Sequence, residues 1–150
     1  ENAILKAKNA FTKTNISSVG DDSGLIVPAI NDEPGLYSAR YAGLNATDSD
    51  NRNKLISKLK DNKLESTYAY FFCCIVAVGI KGQNEIIVCD GKVEGEVRTI
   101  ERGEKGFGYD PMFYPKGYSE SFAELNSLEK NKISHRGQAL KKLMDKLNKT

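Results

Sequence analysis

Histidine and cysteine are scarce in this sequence: one histidine and three cysteines occur among 150 residues. Cys73, Cys74 and Cys89 show no CxxC spacing and no cysteine–histidine ligand spacing, which argues against a zinc centre. Their odd number, and the adjacency of Cys73 and Cys74, argue against a disulfide framework; neighbours on a strand point to opposite faces, and both read as small buried residues. A reducing compartment, the cytoplasm, is expected. Charge of one sign is also lacking. With 22 basic and 20 acidic side chains the formal charge is +2, and the lysines are scattered, so no nucleic-acid partner is expected. The longest apolar run, residues 71–78, is too short to span a bilayer, and no signal peptide or membrane association is expected. What remains is a soluble globular composition, 39% hydrophobic and 28% charged, of a length that suits one domain over residues 1–150.

Residues 1–13 place Ala3, Ile4, Ala7, Ala10 and Phe11 on one stripe and Lys6, Lys8 and Lys13 off it, which predicts an amphipathic helix. Residues 15–19 read as a short strand, and Gly20-Asp21-Asp22-Ser23-Gly24 as a strand-to-strand connection before the apolar Leu25-Ile26-Val27. In extended backbone neighbouring side chains diverge, so at most one of Asp21 and Asp22 faces a cleft, where it could hold magnesium or take a proton from water. The alternation does not choose between them. Residues 31–35 carry a strong turn signal, and Arg40 suits a solvated surface or a cleft wall equally. Thr47 or Asp48 caps a helix to about residue 60, with Leu55, Ile56 and Leu59 inward and Asn51 and Asn53 on the surface. Residues 67–80 form the strongest strand; a turn over 79–84, a partner strand over 85–90 and a third strand over 92–99 would complete an antiparallel meander. Ser134 N-caps a final helix to about residue 147, with Ala139, Leu140, Leu143, Met144 and Leu147 as its buried stripe.

The segment 103–137 concentrates the chemistry. Gly106-Phe107-Gly108-Tyr109-Asp110-Pro111 lets backbone approach a flat ligand, with Pro111 fixing the exit. Lys130 follows, then the His135-Arg136 pair in the first turn of the last helix, where free N–H groups already favour an anion. Arginine offers a planar fork of donors for phosphate oxygens and lysine a movable charge. Together these suit a flat polar base with a phosphate tail, although a plain Gly/Pro loop before a basic helix start has the same letters.

The blocks ENAILKAKNA, DDSGLIVPAINDEPGLYSARYAG, GEKGFGYDPMFY, AEL and EKNKISHRGQAL, in this order from residue 1 to about 144, resemble the inosine triphosphate pyrophosphatase family, also called XTP/dITP diphosphatases. The resemblance implies an α/β fold: a long curved mixed β-sheet flanked by helices, in two lobes with a nucleotide cleft between them. It implies a magnesium-dependent homodimer that hydrolyses the deaminated purine nucleoside triphosphates ITP, dITP and XTP to monophosphate and pyrophosphate. Position by position, Asp22 matches the family's magnesium-associated catalytic acid, and Ser23 beside it a substrate contact. Phe107, Gly108, Tyr109 and Asp110 match the segment lining the base, and Lys130, His135 and Arg136 the remaining substrate contacts. Asp22 is chosen over Asp21 by the resemblance alone. Nothing ahead of Glu1 matches the family's first strand, its S/T-G/x-N-x-x-K turn, the following helix or a further acid near the metal. The expectation is therefore a domain incomplete at its N-terminus, with a catalytically silent nucleotide-binding or dimerisation remnant as the alternative.

Overall fold

The structure is a computed structural model that describes residues 1–80 and 85–149. Its helices are α1 (Asn2–Thr14), α2 (Asp48–Asp61), α3 (Ser127–Ile133) and α4 (His135–Asn148). Its strands are β1 (Ser18–Val27), β2 (Glu33–Pro34), β3 (Ser66–Val78), β4 (Ile86–Arg98) and β5 (Phe113–Pro115). Short 3-10 turns cover Pro28–Ile30, Gly35–Arg40 and Asp110–Met112. One sheet of order β2-β1-β3-β4-β5 forms, flanked by helices, and the fold is α/β as expected. The expected mixture of strand directions is not found among the described residues: every pairing is antiparallel, because each strand returns beside the one it pairs with. No helix among the described residues is long and apolar enough to cross a membrane.

Three of the helices begin or end where local chemistry directs. Thr47 and Asp50 form a reciprocal capping box at the start of α2, each side chain accepting from the other's backbone N–H. Ser134 caps α4, its Oγ accepting from Gly137 N–H at 3.0 Å. Asn15 ends α1 in the left-handed conformation.

The strands depart from expectation at two glycine-bearing stretches. β1 is not interrupted by Gly20–Gly24; it runs straight through, paired with β3 from Ser18↔Val78 to Ile26↔Tyr70. The expected strands 85–90 and 92–99 are likewise one strand, β4, paired with β3 along its whole length. In both places the glycine serves close packing instead of a turn. A Cβ on Gly20 would sit 2.7 Å from the Ala3 carbonyl oxygen of α1. A Cβ on Gly91 would lie far inside van der Waals contact of the His135 carbonyl oxygen of α4. Of the expected turn over 79–84, residues 81–84 lie outside the described residues.

Alternation along β3 sends its side chains to two helices. Cys73, Ile75 and Ala77 pack with Cys89 beneath Ala139 and Leu143 of α4, while Val76 and Val78 pack beneath Ala3 and Ala7 of α1, with Cys74 against them. The adjacent cysteines therefore do diverge to opposite faces. A larger cluster at the other end of the sheet joins Leu25, Leu55, Leu59, Phe71, Met112, Phe113 and Phe122. Each fully buried leucine there contributes roughly 2 kcal/mol of transfer free energy.

Two expectations about faces are corrected. Asn51 is buried, its Oδ1 accepting from Ala42 N–H at 2.8 Å and its Nδ2 donating to Ala39 O at 3.2 Å. Leu140 and Met144 are 46% and 55% exposed: α4 sits so close to β4 at Gly91 that only the narrow stripe His135, Ala139 and Leu143 is covered.

Candidate active site

A cavity of about 480 Å3 opens where β1, the 35–40 turn, α2, the 103–111 loop, α3 and α4 meet. Ser23, Phe107, Gly108, Tyr109, Asp110, Lys130, His135 and Arg136 all line it, so residues spread over most of the chain converge on one cavity.

α4 positions His135 and Arg136 in its first turn. The His135 ring stacks on Phe71 with centroids 4.7 Å apart and planes 12° from parallel, and it is buried. Among the described residues its Nδ1 has no hydrogen-bond partner. Burial first, then the nearby Arg136 and Lys130 cations, push its pKa down from 6.5 to about 4. A neutral imidazole carries one donor and one acceptor nitrogen, so Nδ1 is able to form a hydrogen bond with a ligand. Arg136 extends from the next position: its Nη2 donates to Asp21 Oδ2 at 3.0 Å and to Ser23 Oγ at 3.3 Å. Two guanidinium donors of this kind are easily redirected to phosphate oxygens, since the Asp21 pair is largely solvated.

The 103–111 loop supplies the other wall. Phe107 is 60% exposed at the mouth, with Lys130 Nζ 4.7 Å and the Arg136 guanidinium carbon 5.7 Å from its ring centroid. Asp110 is buried, accepts from Phe107 N–H at 3.0 Å and forms an ion pair with Lys130. That pair fixes the loop against α3. Tyr109 donates its hydroxyl to Ser38 O at 2.7 Å, and burial raises its pKa, so it stays a phenol.

Asp22 is the predicted residue that the structure does not bring to the cavity. It projects from the opposite face of β1 to Ser23, toward α1, where Lys6 Nζ is 3.8 Å from its Oδ1. Asp21 shares the Arg136 side. β1 pairs with β2 only at Ile26 and Val27, so the edge flanked by both acids has no strand partner among the described residues. Among those residues no group of three or more His, Cys, Asp or Glu side chains could hold a metal. Asp21 and Asp22 point to opposite faces of β1, so at most one of them could serve a given cation, and magnesium, which takes one or two protein carboxylates and completes its shell with water and phosphate, asks for no more.

Sequence reasoning missed Asp48, Asn51 and Ser38, which also line the cavity. Asp48 stands in the first turn of α2, where an acid reads as dipole compensation, and no local signal separates the two roles. Arg40 resolves to the surface: it is exposed, over the Tyr37 ring at 5.3 Å, and is not among the residues that line the cavity.

The sequence profile of the Ham1 family matches residues 1–146. The chain is 48% identical over 149 residues to a dITP/XTP pyrophosphatase of Idiomarina loihiensis, covering 99% of this chain and 74% of that protein. In structure it is similar to a HAM1 protein from Coxiella burnetii, with TM-score 0.90 and 41% identity over 99% of this chain and 75% of the other. The Ham1 protein of Staphylococcus aureus gives TM-score 0.87 and 43% identity over 97% of this chain and 73% of the other.

Proposed function

This chain belongs to the Ham1 family, and from that membership we propose that it hydrolyses deaminated purine nucleoside triphosphates (ITP, dITP and XTP) to monophosphate and pyrophosphate, using magnesium. The observation that carries the reading is the pairing of a neutral, buried, unmatched His135 with the cationic Arg136 on one helix turn, facing Phe107 across the cavity. An aromatic platform and a neutral imidazole suit a purine; the adjacent guanidinium and Lys130 suit its phosphates. A 6-oxo purine presents a different donor and acceptor pattern from adenine, and a buried polar group left unmatched costs on the order of 1–3 kcal/mol, enough for tens-fold discrimination per contact.

In the reaction, a water oxygen attacks the α-phosphorus, the bond from that phosphorus to the oxygen bridging to the β-phosphorus breaks, and pyrophosphate leaves. Asp22 would take the proton of the attacking water and would hold the metal; Ser23 and Arg136 would bind the phosphate tail as it passes from the cavity over the edge of β1. Magnesium, when bound, offsets phosphate charge on the reacting and leaving groups. Phe107, Gly108, Tyr109 and Asp110 orient the base, and Lys130 joins that loop to the phosphate side. The protein acts as a homodimer in the cytoplasm; light scattering tests the dimer. The deciding experiment is pyrophosphate release from ITP, dITP and XTP beside ATP, GTP and dTTP, with and without magnesium. Selective, metal-dependent release is expected; equal release from all six, or none, overturns the reading.

A further inference from the structure

One residue of the aromatic loop, Gly108, has both backbone polar groups held by side chains from α2. Its N–H donates to Asp48 Oδ2 at 2.9 Å, and its carbonyl accepts from Arg52 Nη1 at 2.8 Å. Positions 48 and 52 are one helical turn apart and share a face, so the two side chains grip a single peptide residue from above and below. Arg52 also binds Glu101 through Nε, which ties the start of the loop to the same guanidinium. Between them on α2, Asn51 is bonded to Ala39 O and Ala42 N–H on the facing wall. The capping box at Thr47 and Asp50 then fixes the turn from which Asp48 projects.

We propose that Asp48 and Arg52 are positioning residues that clamp Gly108 and thereby set the plane of Phe107 for stacking on the substrate base. The physical need is specific. Gly108 has φ +61, and a Cβ built there would meet nothing within 4 Å, so its glycine identity serves conformation and not space. A glycine in open space is free to leave that conformation unless its N–H and C=O are engaged. Phe107, immediately before it and exposed at the mouth, is tied to Asp110 through its N–H and carbonyl, and Gly108 is the next backbone residue, through which the α2 clamp reaches it. Neither clamping residue reaches the phosphate side, which Arg136 and Lys130 occupy. Losing the clamp should therefore weaken the base end of a nucleotide and spare the phosphate end.

The inference rests on the proposed function for its substrate, and its test separates the two. The first readout needs no ligand: exchange of the Gly108 amide in the free protein, followed by NMR. Asp48→Ala should raise that exchange about tenfold or more, and Asp48→Asn, which keeps an oxygen acceptor, should restore most of the protection. The second is calorimetric binding. Asp48→Ala and Arg52→Lys should each weaken ITP about tenfold while changing inorganic tripolyphosphate less than about twofold, because lysine cannot bridge a carbonyl and Glu101 with one planar fork. Unchanged Gly108 exchange in Asp48→Ala, or equal loss of ITP and tripolyphosphate, overturns the clamp. If the wild-type protein binds tripolyphosphate but no ITP, the proposed function fails, and amide exchange still decides whether the clamp exists.

Discussion

His135 links the site to the stability of the fold. Its folded pKa, about 4, lies below the ordinary 6.5 because the ring is buried and faces Arg136 and Lys130. Between those values the unfolded chain carries a proton that the folded chain does not. Stability is thus fully present above about pH 6.5 and is lost as pH falls toward 4, by at most about 3 kcal/mol. Urea unfolding at pH 7, 5.5 and 4.5 should show this decline in the wild type and a much flatter profile in His135→Gln; identical profiles would dismiss the assignment. The carboxylates of Glu33 and Asp90, held low by Lys58 and Lys142 respectively, add their own loss only at more acidic pH. At the same scale, the choice between the two acids of β1 is open to a direct contrast. Asp22→Asn should reduce turnover of ITP by 100-fold or more, on the order expected for a lost general base, with affinity changed less than about threefold. Asp21→Asn frees Arg136 and should alter affinity with turnover largely kept. The reverse pattern would move the catalytic role to Asp21.

Among the elements, the helices were legible because their signals are local. Thr47, Ser134 and the apolar stripe of α1 each act within a turn or two of chain; the structure keeps both caps and buries Ala3 and Ala7 of the stripe, with Ile4 and Phe11 partly covered and Ala10 exposed. The strands were less legible at Gly20, Gly24 and Gly91, where the same letter marks either a turn or a close approach, and only tertiary packing decides. Leu140 and Met144 failed for a related reason: periodicity shows which way a helix faces, but not how much of that face its neighbour covers. Gly91→Ala tests the close approach. Its new methyl group would collide with the His135 carbonyl, so we expect about 1–3 kcal/mol of destabilisation in urea unfolding and a weaker nucleotide site as α4 is pushed outward. Wild-type stability and affinity in this variant would mean that α4 can shift without cost.

At the scale of the molecule, the site is a meeting point and not a property of any one segment. Ser23 comes from β1, Ser38 from the 35–40 turn, Asp48 from α2, Phe107 from the loop, Lys130 from α3 and His135 from α4. The loop, α3 and α4 residues were legible as chemistry because an aromatic, an acid and cations crowd less than a quarter of the chain. Asp48 and Ser38 were not, since each also has an ordinary local use, as a first-turn acid and as a turn hydroxyl. A ligand in this cavity must touch both walls, and so must bind the folded chain alone. Linkage then predicts that saturating ITP, at about 100 times its Kd, stabilises the protein by about 2.7 kcal/mol. For a chain of this size that is a rise in Tm of roughly 5–10 °C. The rise should shrink in Arg136→Ala at the same ITP concentration, because the phosphate end loses its fork, while inosine alone gives the same small shift in both proteins. A calorimetric scan of the two proteins with ITP and with inosine checks this. Equal shifts with ITP would show that Arg136 does not hold the phosphates, and that its guanidinium serves its pair with Asp21 and not the substrate.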